Sequence, residues 1–119
     1  MNREAATGMD DVLMALRDIL EQRKSADAST SYVASLHKKG LNKILEKIGE
    51  EATETILAAK DHPSGPNGEN LIKETADLWF HSMVMLSHVG LGPEDVLEEL
   101  RKRFNISGLA EKAARTQSD

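Results

Sequence analysis

Cysteine is absent from this 119-residue chain, which excludes disulfides, zinc-thiolate sites and a cysteine nucleophile, and suits a reducing cytoplasm. Aromatic residues are nearly absent too, at 3%. Only Trp79, Tyr32, Phe80 and Phe104 belong to that class, so Leu, Ile, Val, Met and Ala must supply the core volume. No apolar run approaches the ~20 residues of a membrane span, and the polar N-terminus lacks a signal-peptide core. Runs of β-branched and aromatic residues with period two are missing, as is a Walker-type glycine loop. Excess positive charge is missing as well: the net charge of -5 and pI near 5.4 argue against a general nucleic-acid binder. A phosphate-rich ligand would need cations or local Lys and Arg as intermediaries.

What remains is a chain rich in Ala, Leu, Glu and Lys, 39% hydrophobic and of normal length for one domain. It reads as all-α, a bundle of about four to five helices. Residues 1–9 read as a mobile terminus, 10–105 as one helical domain and 106–119 as a short charged helical tail. Asp10 or Asp11 is positioned to cap a first helix running to about Lys24, with Val12, Leu13, Leu16, Ile19 and Leu20 on one face. Ser31 caps a short helix, Tyr32 to Lys39, ended by Gly40. A third helix is expected from Leu41 to Asp61, then a Pro- and Gly-rich loop from His62 to Gly68. A fourth runs from Glu69 to Val89, with Leu71, Ile72, Thr75, Leu78, Trp79, Ser82, Met83 and Leu86 facing inward. Phe80, Val84 and Met85 add apolar surface outside that stripe, so this helix needs partners on two sides and points to a homodimer. Pro93 suits the first turn of a last helix ending near Phe104.

Two acidic pairs stand out. Glu51 and Glu54 are three apart on the third helix, with Glu50 beside them; Glu74 and Asp77 are three apart on the fourth. Residues so spaced leave one side of a helix, and antiparallel packing of consecutive helices sets the pairs facing each other. At ~4 Å two such charges repel by about 4 kcal/mol at an effective dielectric near 20. A cation must offset that, and hard oxygen donors favour magnesium, manganese or calcium. The apolar stripe of the third helix, Leu41, Ile44, Leu45, Ile48, Ala52, Ile56 and Ala59, puts Lys47, Glu50, Glu51 and Glu54 roughly opposite it. Single helical glutamates are usually solvated. Here lysine partners are sparse, and Glu74, Asp77 and His81 share a stripe beside the packing seam. His81 is suited to accept a carboxylate bond, touch phosphate or ligate metal, although a lone helical histidine is more often structural. His88 reads as surface, and His37 and His62 have no evident partner. Tyr32 either stacks on a base or covers the core with its hydroxyl in water, the second being favoured.

The combined series resembles the phosphoribosyl-ATP pyrophosphohydrolase family of the all-α nucleotide pyrophosphohydrolase superfamily, which also holds MazG-like enzymes and dimeric dUTPases. It is carried by Ser31 to Leu36, Gly40 with Lys43 and Ile44, Lys47 to Glu54, Glu74 to His81, and Leu100 to Arg103. The segment Ile106 to Ala113 also looks like the tail of some members. Phe80 departs from the tyrosine common there, which removes one hydroxyl. The resemblance implies hydrolysis of 1-(5-phosphoribosyl)-ATP to 1-(5-phosphoribosyl)-AMP and pyrophosphate, in the second step of histidine biosynthesis. It implies Mg2+, with Mn2+ able to substitute, held by Glu51, Glu54, Glu74 and Asp77, and a general base at Glu50 or Glu51. Phosphate contacts would fall to Lys43, Lys47, His81, Arg101 and Arg103, with Lys38 or Lys39 as further candidates. The expected protein is a cytoplasmic homodimer acting on a small nucleotide, with no nucleic-acid or membrane partner. The alternatives are a house-cleaning NTP pyrophosphatase on the same acids, and a non-catalytic helical metal-binding dimerisation module.

Overall fold

The computed structural model describes residues 3–61 and 68–105, with side chains from Val12 onward. The 62–67 loop and the 106–119 tail therefore lie outside the described residues. Five helices follow one another, with no strand among the described residues: α1 (Arg3–Arg23), α2 (Tyr32–Lys39), α3 (Leu41–Asp61), α4 (Glu69–His88) and α5 (Pro93–Phe104). The all-α expectation holds. The start of α1 does not: it is already helical at Arg3, upstream of the expected cap at Asp10 or Asp11. Arg3-Glu4-Ala5-Ala6 are strong helix formers, and propensity carries the helix back past the acids.

The other ends follow local chemistry. Ser31 caps α2 through its hydroxyl, which accepts from the Ala34 amide at 3.2 Å. Gly40, at φ 102, stops α2 and starts α3, its carbonyl accepting from Lys43 and Ile44. At the end of α4, Leu91 N donates to Leu86 O at 2.8 Å and Gly90 N to Ser87 O at 3.1 Å, a Schellman closure with Gly90 at φ 85. Pro93 opens α5 after Gly92, whose amide donates to the Asp95 carboxylate at 2.9 Å.

α3 and α4 form an antiparallel hairpin with the most extensive helix contact in the chain; α2 lies on α3, and α1 on α4. The core gathers Leu20, Val33, Leu36, Ile44, Met83 and Val84, with Leu13, Leu16, Ile48, Phe80 and Met85 packed around it. It occupies one end of the hairpin. On the hairpin helices Ile56, Leu57, Ile72 and Trp79 are each 60% exposed or more. Ile56, Ile72 and Trp79 were expected to face inward; among the described residues they are left largely exposed. At the core end a polar group ties α1, α2 and α4 together. Lys24 Nζ donates to Ser87 O at 2.7 Å, Ser87 Oγ to Glu21 Oε2 at 2.7 Å, and His37 Nδ1 lies 2.9 Å from His88 Nδ1 in stacked rings. His37 thus has a partner and His88 is not free surface.

Candidate active site

The hairpin brings its two acid rows together. One carboxylate oxygen each from Glu51, Glu54 and Glu74 lie within 4.8 Å of one another. Thr55 fixes the helices at this level: its hydroxyl lies 2.8 Å from Glu51 O on its own helix and 3.2 Å from Glu74 O across the seam. Sequence reading missed Thr55. A threonine one position past an acid looks like ordinary helix, and only the α3–α4 packing gives it a second acceptor.

Glu51 is only 7% exposed, a correction to its expected place opposite the apolar stripe. The buried face of α3 runs through Ile44, Glu51 and Ala58, rotated away from Ile56 and Ala59. Burial lifts the Glu51 carboxyl above its ordinary 4.5; His81 opposes this, while Asp77 and Glu54 reinforce it. Glu74 is also lifted, by desolvation first and then by Glu54, Asp77 and Glu51. Its Oε1 is buried with no hydrogen-bond partner. A buried carboxylate oxygen left without a donor is costly, and the three hard oxygen donors of Glu51, Glu54 and Glu74 fit Mg2+, Mn2+ or Ca2+. Asp77 is exposed and stands outside the three-oxygen group, near enough to repel Glu51 and Glu74.

The remaining candidates separate. Glu50 is turned outward and pairs with Lys47 at 3.2 Å; Lys43 pairs with Glu46 at 2.7 Å. Arg101 pairs with Glu98 and Arg103 with Glu99, all on the exposed side of α5. Lys38 and Lys39 are exposed at the end of α2. His81 is buried, with Nε2 2.7 Å from Tyr32 Oη, and with Nδ1 3.0 Å from Asp77 O and 3.4 Å from Glu51 Oε1. Both nitrogens are engaged within the chain, so His81 stands behind the acids rather than open to a phosphate. The Tyr32 hydroxyl is likewise bonded to His81, not left in water as expected, although the residue is half exposed. No helix among the described residues is long and apolar enough to cross a membrane.

Comparison with known proteins gives the family. The family model for phosphoribosyl-ATP pyrophosphohydrolase matches residues 13–104, spanning every acid above. A curated protein of Hydrogenovibrio crunogenus named phosphoribosyl-ATP pyrophosphatase is 54% identical over 110 residues, covering 92% of this chain and 97% of that protein.

Proposed function

Since the chain belongs to the phosphoribosyl-ATP pyrophosphohydrolase family and is a hydrolase, we propose that it cleaves 1-(5-phosphoribosyl)-ATP to 1-(5-phosphoribosyl)-AMP and pyrophosphate, with Mg2+ or Mn2+ as cofactor. Family membership supports the assignment to histidine biosynthesis and sets aside the non-catalytic helical module. The observation carrying the metal requirement is the convergence of Glu51, Glu54 and Glu74 around the unpartnered Glu74 Oε1.

In this reading those three carboxylates hold the ion, with Asp77 at the rim. When bound, the ion neutralises polyphosphate charge and acidifies bound water. Thr55 keeps α3 and α4 in register so that the acids stay convergent. Between the two candidate bases, Glu51 is the better placed to take the proton of the attacking water: burial raises its proton affinity, while Glu50 faces solvent beside Lys47. Lys43 and Lys47 precede Glu50, Glu51 and Glu54 on the same helix, α3. Their present partners form surface pairs, typically worth about 0–1 kcal/mol, so a phosphate can recruit either lysine at little cost. Arg101 and Arg103 are held by similarly weak pairs.

The exposed Ile56, Leu57, Ile72 and Trp79 support a homodimer that covers the hairpin. Large apolar side chains left exposed on both helices of the hairpin are surface that association would cover. The lack of cysteine supports a cytoplasmic setting.

The test is pyrophosphate release from phosphoribosyl-ATP in Mg2+ and in EDTA, alongside dUTP and dCTP. Release that needs the divalent ion and favours phosphoribosyl-ATP is expected. Full activity in EDTA refutes the metal requirement, and preference for dUTP or dCTP transfers the protein to the house-cleaning class.

A further inference from the structure

Behind the acids lies a second row of polar groups that the reaction itself does not use. His81 is 5% exposed, and burying an imidazole is costly unless its nitrogens are satisfied. Asp77 O can only accept, so His81 Nδ1, 3.0 Å away, carries a proton. In the neutral ring Nε2 is then the acceptor, and the Tyr32 hydroxyl donates to it at 2.7 Å. The same Nδ1 lies 3.4 Å from Glu51 Oε1. One ring therefore touches the backbone turn that carries Asp77 and the carboxylate of Glu51.

Tyr32 is seated to orient that ring. Its own ring stacks on Phe80 with centroids 6.3 Å apart and meets His81 edge-on at 5.7 Å. Phe80 in turn meets His81 edge-on at 5.0 Å. Two aromatic rings confine the imidazole, the Asp77 carbonyl selects its tautomer, and the Tyr32 hydroxyl satisfies the Nε2 left as acceptor. Tyr32 opens α2, 49 residues before His81, so the contact also sets α2 against the α3–α4 seam.

We propose that Tyr32 and His81 are positioning residues: the Tyr32 hydroxyl and the Asp77 carbonyl hold the two ring nitrogens of His81, and the ring so held, with Nδ1 3.4 Å from Glu51 Oε1, fixes the Glu51 carboxylate within the acid group. The inference rests on the reading of that group as the metal-holding site. Hydrogen-bond partners that orient ligand groups commonly govern metal affinity or activity by about 10- to 100-fold.

Three readouts test it in the full chain. Nitrogen NMR of the histidine ring at pH 8 reports the His81 tautomer, and paramagnetic resonance titration with Mn2+ reports affinity without substrate. Kinetics with phosphoribosyl-ATP separates kcat from KM. In Tyr32→Phe the His81 Nε2 resonance should shift as that nitrogen loses its donor, and the Mn2+ Kd should rise and kcat fall, each by about tenfold or more, with KM changed little. Tyr32→Phe keeps the ring and its stacking, so the melting temperature should stay within a few degrees. His81→Asn places its amide nitrogen near the Nδ1 position and should keep Mn2+ affinity better than His81→Gln, whose nitrogen falls near Nε2. An unchanged Nε2 resonance with unchanged Mn2+ affinity in Tyr32→Phe overturns the proposal. So do equal losses in the Asn and Gln variants that merely track melting temperature. If the wild-type protein releases no pyrophosphate, the reading of function fails instead; the Nε2 resonance and Mn2+ affinity still decide the positioning role.

Discussion

Replacing Glu51 by glutamine should stabilise the metal-free protein while abolishing its response to metal. Glu51 and Glu54 bring carboxylate oxygens within 4.8 Å of each other. At that distance two charges repel by about 3.5 kcal/mol at an effective dielectric near 20, and by about 1 kcal/mol at the value of water. Glu54 is exposed, so the lower part of that range applies. Glutamine keeps the shape, removes one charge and offers an amide donor to the Glu54 or Glu74 carboxylates. For a domain of this size 1 kcal/mol corresponds to about 4 °C. The Glu51→Gln protein in EDTA at pH 8 should therefore melt about 4 °C or more above wild type. Saturating Mg2+ should raise the wild-type melting temperature, by about 2.7 kcal/mol of stability at a hundred times the Kd, and leave the variant unmoved. Differential scanning calorimetry reads both effects. A variant that melts several degrees below wild type in EDTA would mean Glu51 is retained for packing, and the electrostatic argument would fall.

Other perturbations probe separate parts of the account. Thr55→Val removes the bond across the α3–α4 seam and should cost about 1 kcal/mol in urea unfolding, with weaker Mn2+ binding than wild type. Gly90→Ala meets no atom within 4 Å of the new Cβ, so its cost is the left-handed backbone alone, about 1–2 kcal/mol in a thermal melt. The pH dependence has two flanks of opposite sign. Glu51 and Glu74 have folded pKa values raised above 4.5, so their contribution is complete below the unfolded value and lost as pH rises through the folded ones. In EDTA this decline should be shallower in Glu51→Gln, and saturating Mg2+ should abolish it. His37 is depressed below 6.5 by burial, then by His88 and Lys24, with Glu21 opposing. Its contribution is present above 6.5 and lost as pH falls, so His37→Gln should flatten the acid flank of the same melting curve.

Local signals in the sequence located most helix ends. Ser31, Gly40 and Pro93 act within one turn of the chain, and they cap, break and open helices where expected. The acid rows were legible for the same reason, since three-residue spacing fixes a shared side before any packing is known. The facing of Glu51 was not legible. A helical wheel ranks α3 by its apolar residues, whereas α4 packs along a face that includes a carboxylate, and that choice is made by the partner helix. Ile56, Ile72 and Trp79 mislead the wheel in the opposite direction: they are apolar, yet the described residues leave them largely exposed. The Tyr32–His81 and His37–His88 contacts, 49 and 51 residues apart, leave no trace in any local period. They arise only when α2 is laid against the hairpin.

The account turns on a divalent ion held between α3 and α4. Diffraction from Mn2+-soaked crystals at the manganese edge locates such an ion without any assumption about catalysis. An anomalous peak among the carboxylates of Glu51, Glu54 and Glu74 is the predicted result. Carboxylates drawn apart with no peak between them at saturating Mn2+ would contradict it.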